Sequence, residues 1–192
     1  MNRKISFAVL SAMAFSSAVF AAGPRTDEVV QRDENQQQRI EQGLQSGQLT
    51  TGEAARLERG ETRIERTEAR DLRDGSLSKG EQARINRLEN RESASIYRQK
   101  HDAQTGNPDS SSSQRMQGAV QRNIDQQARI EQGATNGSLT NREVGRLERG
   151  QAHASRREAR TGADGHVSAG ENARIQRAQN RQSRHIYRQK HD

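Results

Sequence analysis

Residues 70–81 read RDLRDGSLSKGE, and Asp74-Gly75-Ser76-Leu77-Ser78 followed by Glu81 resembles the second half of an EF-hand calcium loop. Such a loop needs oxygen ligands at its first, third and fifth positions and a bidentate Glu at the twelfth. Counting back from Glu81 puts Arg70 first and Leu72 third, and counting back from Glu171 puts Arg160 first and Gly162 third. A cation then stands where a dication is expected. Only Asp74, Ser78 and Glu81, and in a second loop Asp164, Ser168 and Glu171, keep calcium-loop character, so a weak calcium site at these six residues ranks second. No other cofactor is expected.

A helix-end reading accounts for more of the letters. The motif occurs four times, as SGQLTTGE (46–53), DGSLSKGE (74–81), NGSLTNRE (136–143) and DGHVSAGE (164–171). All four keep a Gly, an apolar residue, Ser or Thr, and a Glu three places on. Gly47, Gly75, Gly137 and Gly165 can adopt the left-handed conformation that closes a helix. Thr50, Ser78, Thr140 and Ser168 can then cap the next helix, with Glu53, Glu81, Glu143 and Glu171 completing a capping box. Each turn ends one helix and starts another.

These turns sit in a chain that is written twice. A shift of 90 places lays 25–102 onto 115–192 with 43 of 78 positions identical, including RIEQG at 39 and 129, RLERG at 56 and 146, and IYRQKHD at 96 and 186. The expected organisation is a signal peptide over 1–22, a helical repeat over 23–102, a flexible Gly/Pro/Ser linker over 103–114 and a second repeat over 115–192. The fold class is all-α, a tandem duplication of a three-helix unit, with helices near 28–45, 50–72, 78–101, 118–135, 140–162 and 168–191. The units would form two small antiparallel bundles or one six-helix assembly. In the third helix Ile85, Leu88, Glu92, Ser95 and Ile96 follow a helical face. Ala154 and Ala178 stand where the first copy has Ile64 and Leu88, which thins the second core. Gly60 and Gly150 interrupt the second helix of each copy, for close approach or for a kink.

Composition narrows the function. MNRKISFAVLSAMAFSSAVFAA has the basic start, apolar run and small-residue end of an export signal, so a periplasmic or secreted bacterial protein with no transmembrane anchor is expected. Its removal leaves 170 residues with net charge +5, only Tyr97 and Tyr187 as aromatics, and no Cys. From 25 to 102, Val, Ile and Leu hold 12 of 78 positions, so a largely disordered polyampholyte is a third class beside the two functional readings. The bases are nearly all Arg, which pairs bidentately with carboxylates and phosphates. Export and the lack of stacking aromatics argue against nucleic acid.

The repeated IYRQKHD offers a candidate binding face: Tyr97, Arg98, Lys100 and His101, presented again as Tyr187, Arg188, Lys190 and His191. Its plainer role is a helix end where basic side chains oppose the dipole and Tyr covers the core edge. His153, His166 and His185 lie at no zinc-ligand spacing. No metalloprotease, nucleophile-elbow or phosphate-loop motif is present, so no enzyme is expected.

Leu49-Thr50-x-x-Glu53 and Leu139-Thr140-x-x-Glu143 resemble the Leu-Thr-x-x-Gln signature of the small periplasmic helical stress proteins of the Spy and CpxP kind. The resemblance implies an all-helical, cationic, non-enzymatic stress or chaperone protein that pairs with itself. The expected function is therefore envelope-stress or chaperone-like binding, with Arg-rich helical faces meeting acidic or unfolded proteins or anionic envelope components.

Overall fold

The structure, a computed structural model, describes residues 26–191; the export signal expected over 1–22 lies outside the described residues, as does Asp192. Six helices are present: α1 (Thr26–Gln45), α2 (Thr51–Asp71), α3 (Lys79–Lys100), α4 (Ser111–Asn136), α5 (Asn141–Thr161) and α6 (Ala169–His191). No strand occurs among the described residues. A single 3-10 turn follows α2 (Leu72–Asp74) and another follows α5 (Gly162–Asp164).

The repeated turn motif punctuates the helices. Gly47, Gly75, Gly137 and Gly165 have φ of 73°, 94°, 77° and 84°, the left-handed region that costs a side chain. Thr50, Ser78 and Thr140 each form a capping box with the Glu three residues on. Ser168 does the same: its hydroxyl accepts from the Glu171 amide at 3.3 Å, and its own amide donates to Glu171 Oε2 at 3.0 Å. These bonds satisfy amide donors that a helix start leaves without partners.

The expected linker is shorter than its composition suggests. Ser110 caps α4 by accepting from the Ser113 amide at 3.1 Å, so 111–114 are helical. The run before it is tied down, because the Gly106 amide donates to Gly47 O at 2.8 Å. A Cβ at Gly106 would lie 2.2 Å from Leu49 O, so only glycine allows this approach.

The alternative of two separate bundles is not what forms; the six helices make one assembly. α2 packs along α5 and α1 along α4, while α3 lies against α1 and α2, and α6 against α4 and α5. The α2–α5 pair is antiparallel, and its contacts are reciprocal at the 90-residue offset: Leu72 lies against Gly145, and Gly162 against Ala55.

Two apolar clusters result, each drawn from both halves of the chain. One holds Ile40, Leu44, Leu49, Leu57 and Ile96 with Met116, Val120, Val167 and Ile175. The other holds Val29, Val30, Leu72, Leu77 and Ile85 with Ile130, Leu139, Val144, Leu147 and Ile186. Leu57 and Leu72 belong to different clusters and are 15 residues apart on one helical rod, about 22 Å at 1.5 Å per residue. The expected thin second core does not arise as a separate body, because Met116 and Ile124 fill space where the first half has Thr26 and Glu34.

Gly60 and Gly150 serve close approach. A Cβ at Gly60 would fall 1.8 Å from the Glu92 carboxyl, and one at Gly150 would fall 1.8 Å from Gln182 Oε1, so α3 and α6 lay these side chains across the glycine backbone. On α3, Ile85, Glu89 and Ile96 are the buried residues, whereas Leu88 and Ser95 are only half-buried.

Because Gly75 is left-handed and Ser78 holds a capping box, Gly75→Ala is expected to destabilise the protein by about 1–2 kcal/mol and Ser78→Ala by about 1 kcal/mol. Urea melts followed by circular dichroism should show both losses with native helicity unchanged. Equal stability of either variant would contradict the cap assignment.

Candidate functional site

The residues singled out as a calcium loop are turn and cap residues in the structure. Asp74 Oδ1 accepts from the Ser76 amide at 2.9 Å, and Asp164 Oδ1 accepts from the His166 amide at 2.9 Å. Ser78 and Ser168 donate their hydroxyls to Glu81 and Glu171 at 2.7 Å. These bonds hold the Asp74, Glu81 and Glu171 carboxyls below their ordinary range.

The IYRQKHD segments end α3 and α6 in different apolar clusters, since Ile96 belongs to one and Ile186 to the other. Tyr97 stacks on His101 with ring centroids 4.1 Å apart, and Tyr187 on His191 at 4.2 Å. Both tyrosines are 59% exposed, so they do not cover the core edge as expected. Lys190 donates to Arg129 O and Gln132 Oε1, and Arg98 to Ser95, leaving the two faces as separate, locally bonded helix ends.

What the fold brings together is a layer of buried carboxyls between the apolar clusters. On α2 every Glu is buried and every Arg is exposed: Glu58, Glu61, Glu65 and Glu68 point inward, and Arg59, Arg63, Arg66 and Arg70 outward. Asp33 of α1 and Glu89 of α3 join the inner layer from the first half, and Glu148 and Glu158 of α5 from the second. An oxygen from each of Asp33, Glu68 and Glu89 lies within 4.8 Å of the others. Arg32 approaches Glu89 Oε2 at 2.6 Å, while no donor reaches either oxygen of Asp33, Glu61 or Glu68.

At the matched positions of the second half the layer is differently made. Asn123, Glu158 and Gln179 stand for Asp33, Glu68 and Glu89. Asn123 Nδ2 donates to Glu158 Oε2 at 2.8 Å, and Gln179 Nε2 to Glu158 Oε1 at 3.1 Å, so each carboxylate oxygen has a donor. Gln151 and Ser155 stand for Glu61 and Glu65, and Ser155 Oγ donates across the α2–α5 seam to Glu65 Oε1 at 2.8 Å. Gln182 stands for Glu92 and donates to Leu147 O at 2.9 Å.

Burial raises the carboxyls of this layer, because a low-dielectric surrounding disfavours the charged form. Glu92 and Glu158 are pushed up to about 7, in each case chiefly by loss of water; Arg63 and Arg98 oppose the shift at Glu92, and donors from Asn123 and Gln179 oppose it at Glu158. Glu58 is raised well above the usual range by burial and then by the charge of Glu158. Such a layer can hold protons at neutral pH, or a hard cation.

The outward side of the same seam is basic. Arg59, Arg63, Arg66 and Arg70 of α2 line a groove of about 430 Å³ with Arg156 and Arg160 of α5, floored by Thr62 and Ala159. Arg70 pairs with Asp71 at 2.8 Å; the other five make no ion pair within 4 Å among the described residues. The Arg156 guanidinium is pulled below its ordinary range by Arg160, the burial of its surroundings and Arg66, the mark of like charges held together.

The buried layer was not part of the sequence reading. The signal lay in the comparison of the copies: five acids of the first half (Asp33, Glu61, Glu65, Glu89 and Glu92) are Asn, Gln or Ser in the second.

The pH dependence follows with a definite sign. Between the ordinary Glu value of 4.5 and about 7, folded Glu92 and Glu158 keep protons that the unfolded chain has lost. Their contribution is therefore complete below 4.5 and lost as pH rises through 7. In chelator, the melting temperature at pH 5 is expected to exceed that at pH 8 by roughly 5 °C or more; a melt that rises with pH across this window would contradict the buried layer.

No helix among the described residues is long and apolar enough to cross a membrane. No protein-family model matches the chain, and neither a curated protein nor a solved structure matches it.

Proposed function

We propose that the chain is an exported, non-enzymatic binding protein of the envelope-stress or chaperone-like class, and that the α2–α5 groove is its binding surface for acidic protein segments. The observation that carries this reading is the sorting of charge on α2, which withdraws its Glu side chains and leaves an Arg-lined groove facing solvent. Six guanidiniums in one groove suit a run of carboxylates, since each can take a bidentate pair. The surface favours acidic over apolar clients, because Tyr97 and Tyr187 are the only exposed large hydrophobic side chains among the described residues.

Labelled poly-L-glutamate tests it by fluorescence anisotropy. Binding is expected at low ionic strength, weakening steeply with salt as exposed charges are screened. Arg66→Glu with Arg156→Glu should weaken it by about tenfold or more, whereas Arg87→Glu with Arg177→Glu, on the exposed faces of α3 and α6, should retain most of it. No binding, or equal loss in both variants, would remove this reading.

A further inference from the structure

The buried layer is asymmetric, and the asymmetry points to a ligand. In the second half Glu158 is a lone carboxylate whose two oxygens each have an amide donor from Asn123 or Gln179. Gln179 Nε2 also lies within hydrogen-bond reach of Asn123 Oδ1 and Ala119 O, so its two N–H groups are shared among three acceptors, with both Glu158 oxygens in reach of an amide. The first half places three carboxylates at the same three positions. Arg32 offsets Glu89, but Asp33 and Glu68 face each other without a donor on any of their four oxygens. Glu61, also fully buried and with neither oxygen partnered, feels the charge of Asp33 more than that of any other side chain, and Gln151 stands at its matched position.

We infer that Asp33, Glu68 and Glu89 hold a hard divalent cation, calcium, magnesium or manganese in type, in the first half only. The donor set is all oxygen, which suits these ions over zinc or copper. Their ligand oxygens already lie within 4.8 Å of one another, and the trio with Arg32 carries two net negative charges if all three acids are ionised. Protons are the competing occupant. A proton shared between Asp33 and Glu68 would still leave most of their oxygens without donors, whereas a cation serves several oxygens at once. Glu65 and Glu148 bear on the same space from α2 and α5. Because every member is buried, the ion enters as the helices close.

The test uses the full chain and manganese alone. Protein unfolded in urea with chelator, desalted and refolded at pH 7.5 with Mn²⁺ should retain about one ion per chain after gel filtration, and should melt higher than protein refolded in chelator. Asp33→Asn with Glu89→Gln, which copies the amides found at 123 and 179, should fold in chelator, retain no ion and melt alike with and without Mn²⁺. The reciprocal pair, Asn123→Asp with Gln179→Glu, should raise the bound manganese, which keeps the inference testable if the first pair folds poorly. Asp74→Ala with Asp164→Ala should leave the ion in place, separating the buried site from the turns. Wild-type protein that retains no manganese and melts alike in chelator and Mn²⁺ holds its acids as protonated pairs, and the inference fails. It fails equally if the Asp33→Asn, Glu89→Gln protein keeps its ion.

Discussion

A carboxylate removed from water must be neutralised, by a proton, a donor or a cation, or it opposes folding by several kcal/mol. This chain places a whole layer of them at the centre of a six-helix assembly, and much of its architecture answers that constraint. The two apolar clusters, small and largely aliphatic, sit at the two ends of the α2–α5 seam, and in its middle Ile64, Ala152 and Ala154 are buried among the acids and amides. Glycines 60 and 150 let Glu92 and Gln182 lie across α2 and α5 in the layer between. The arginines that alternate with the glutamates along α2 then face water, so one helix gives the molecule both its acidic interior and its basic exterior.

The second dependency is that neither half closes alone. Each apolar cluster takes the start of the second helix from one half and the end of α1 or α4 beside the matching turn, then adds the beginning of the opposite half's helices. Leu72 against Gly145 and Gly162 against Ala55 show how this works in detail: a large residue at one end of the seam meets a glycine, and at the other end the glycine meets alanine, with Met116 filling the remaining space. Residue differences between the matched positions of the two halves are thus accommodated across the seam. Relaxed demand for identity is also what lets one half carry amides where the other carries acids.

The helices, their caps and the left-handed glycines were legible in the sequence because they depend on neighbours within four residues. Gly75, Ser78 and Glu81 specify their turn with letters that adjoin one another. The α4 start was misplaced because Ser110 is one serine in a run of four, and composition alone reads that run as linker. The seam was not legible, since it depends on which helix faces which, and a pattern of Arg and Glu at helical spacing looks the same whether its acidic side meets water or another helix. Only the matched substitutions, Asp33 to Asn123 and Glu89 to Gln179 above all, mark positions where charge mattered more than polarity. The Arg groove was expected as a basic face, but its residues could be named only once α2 and α5 were seen to lie side by side.

The central claim is that the buried acids are neutral, or neutralised, in the folded protein and ionised in the unfolded one. Proton exchange on unfolding measures this directly. Metal-free protein in unbuffered solution at pH 6 would be unfolded with urea and the protons released per chain titrated. The account predicts release of several protons, because the groups raised by burial regain their ordinary acidity in water while Glu81, Glu143 and Glu171, lowered by their cap bonds, contribute nothing. No release, or uptake, would mean that the carboxyls of α2 are not in a layer shielded from water, and the architecture described here would be wrong at its centre.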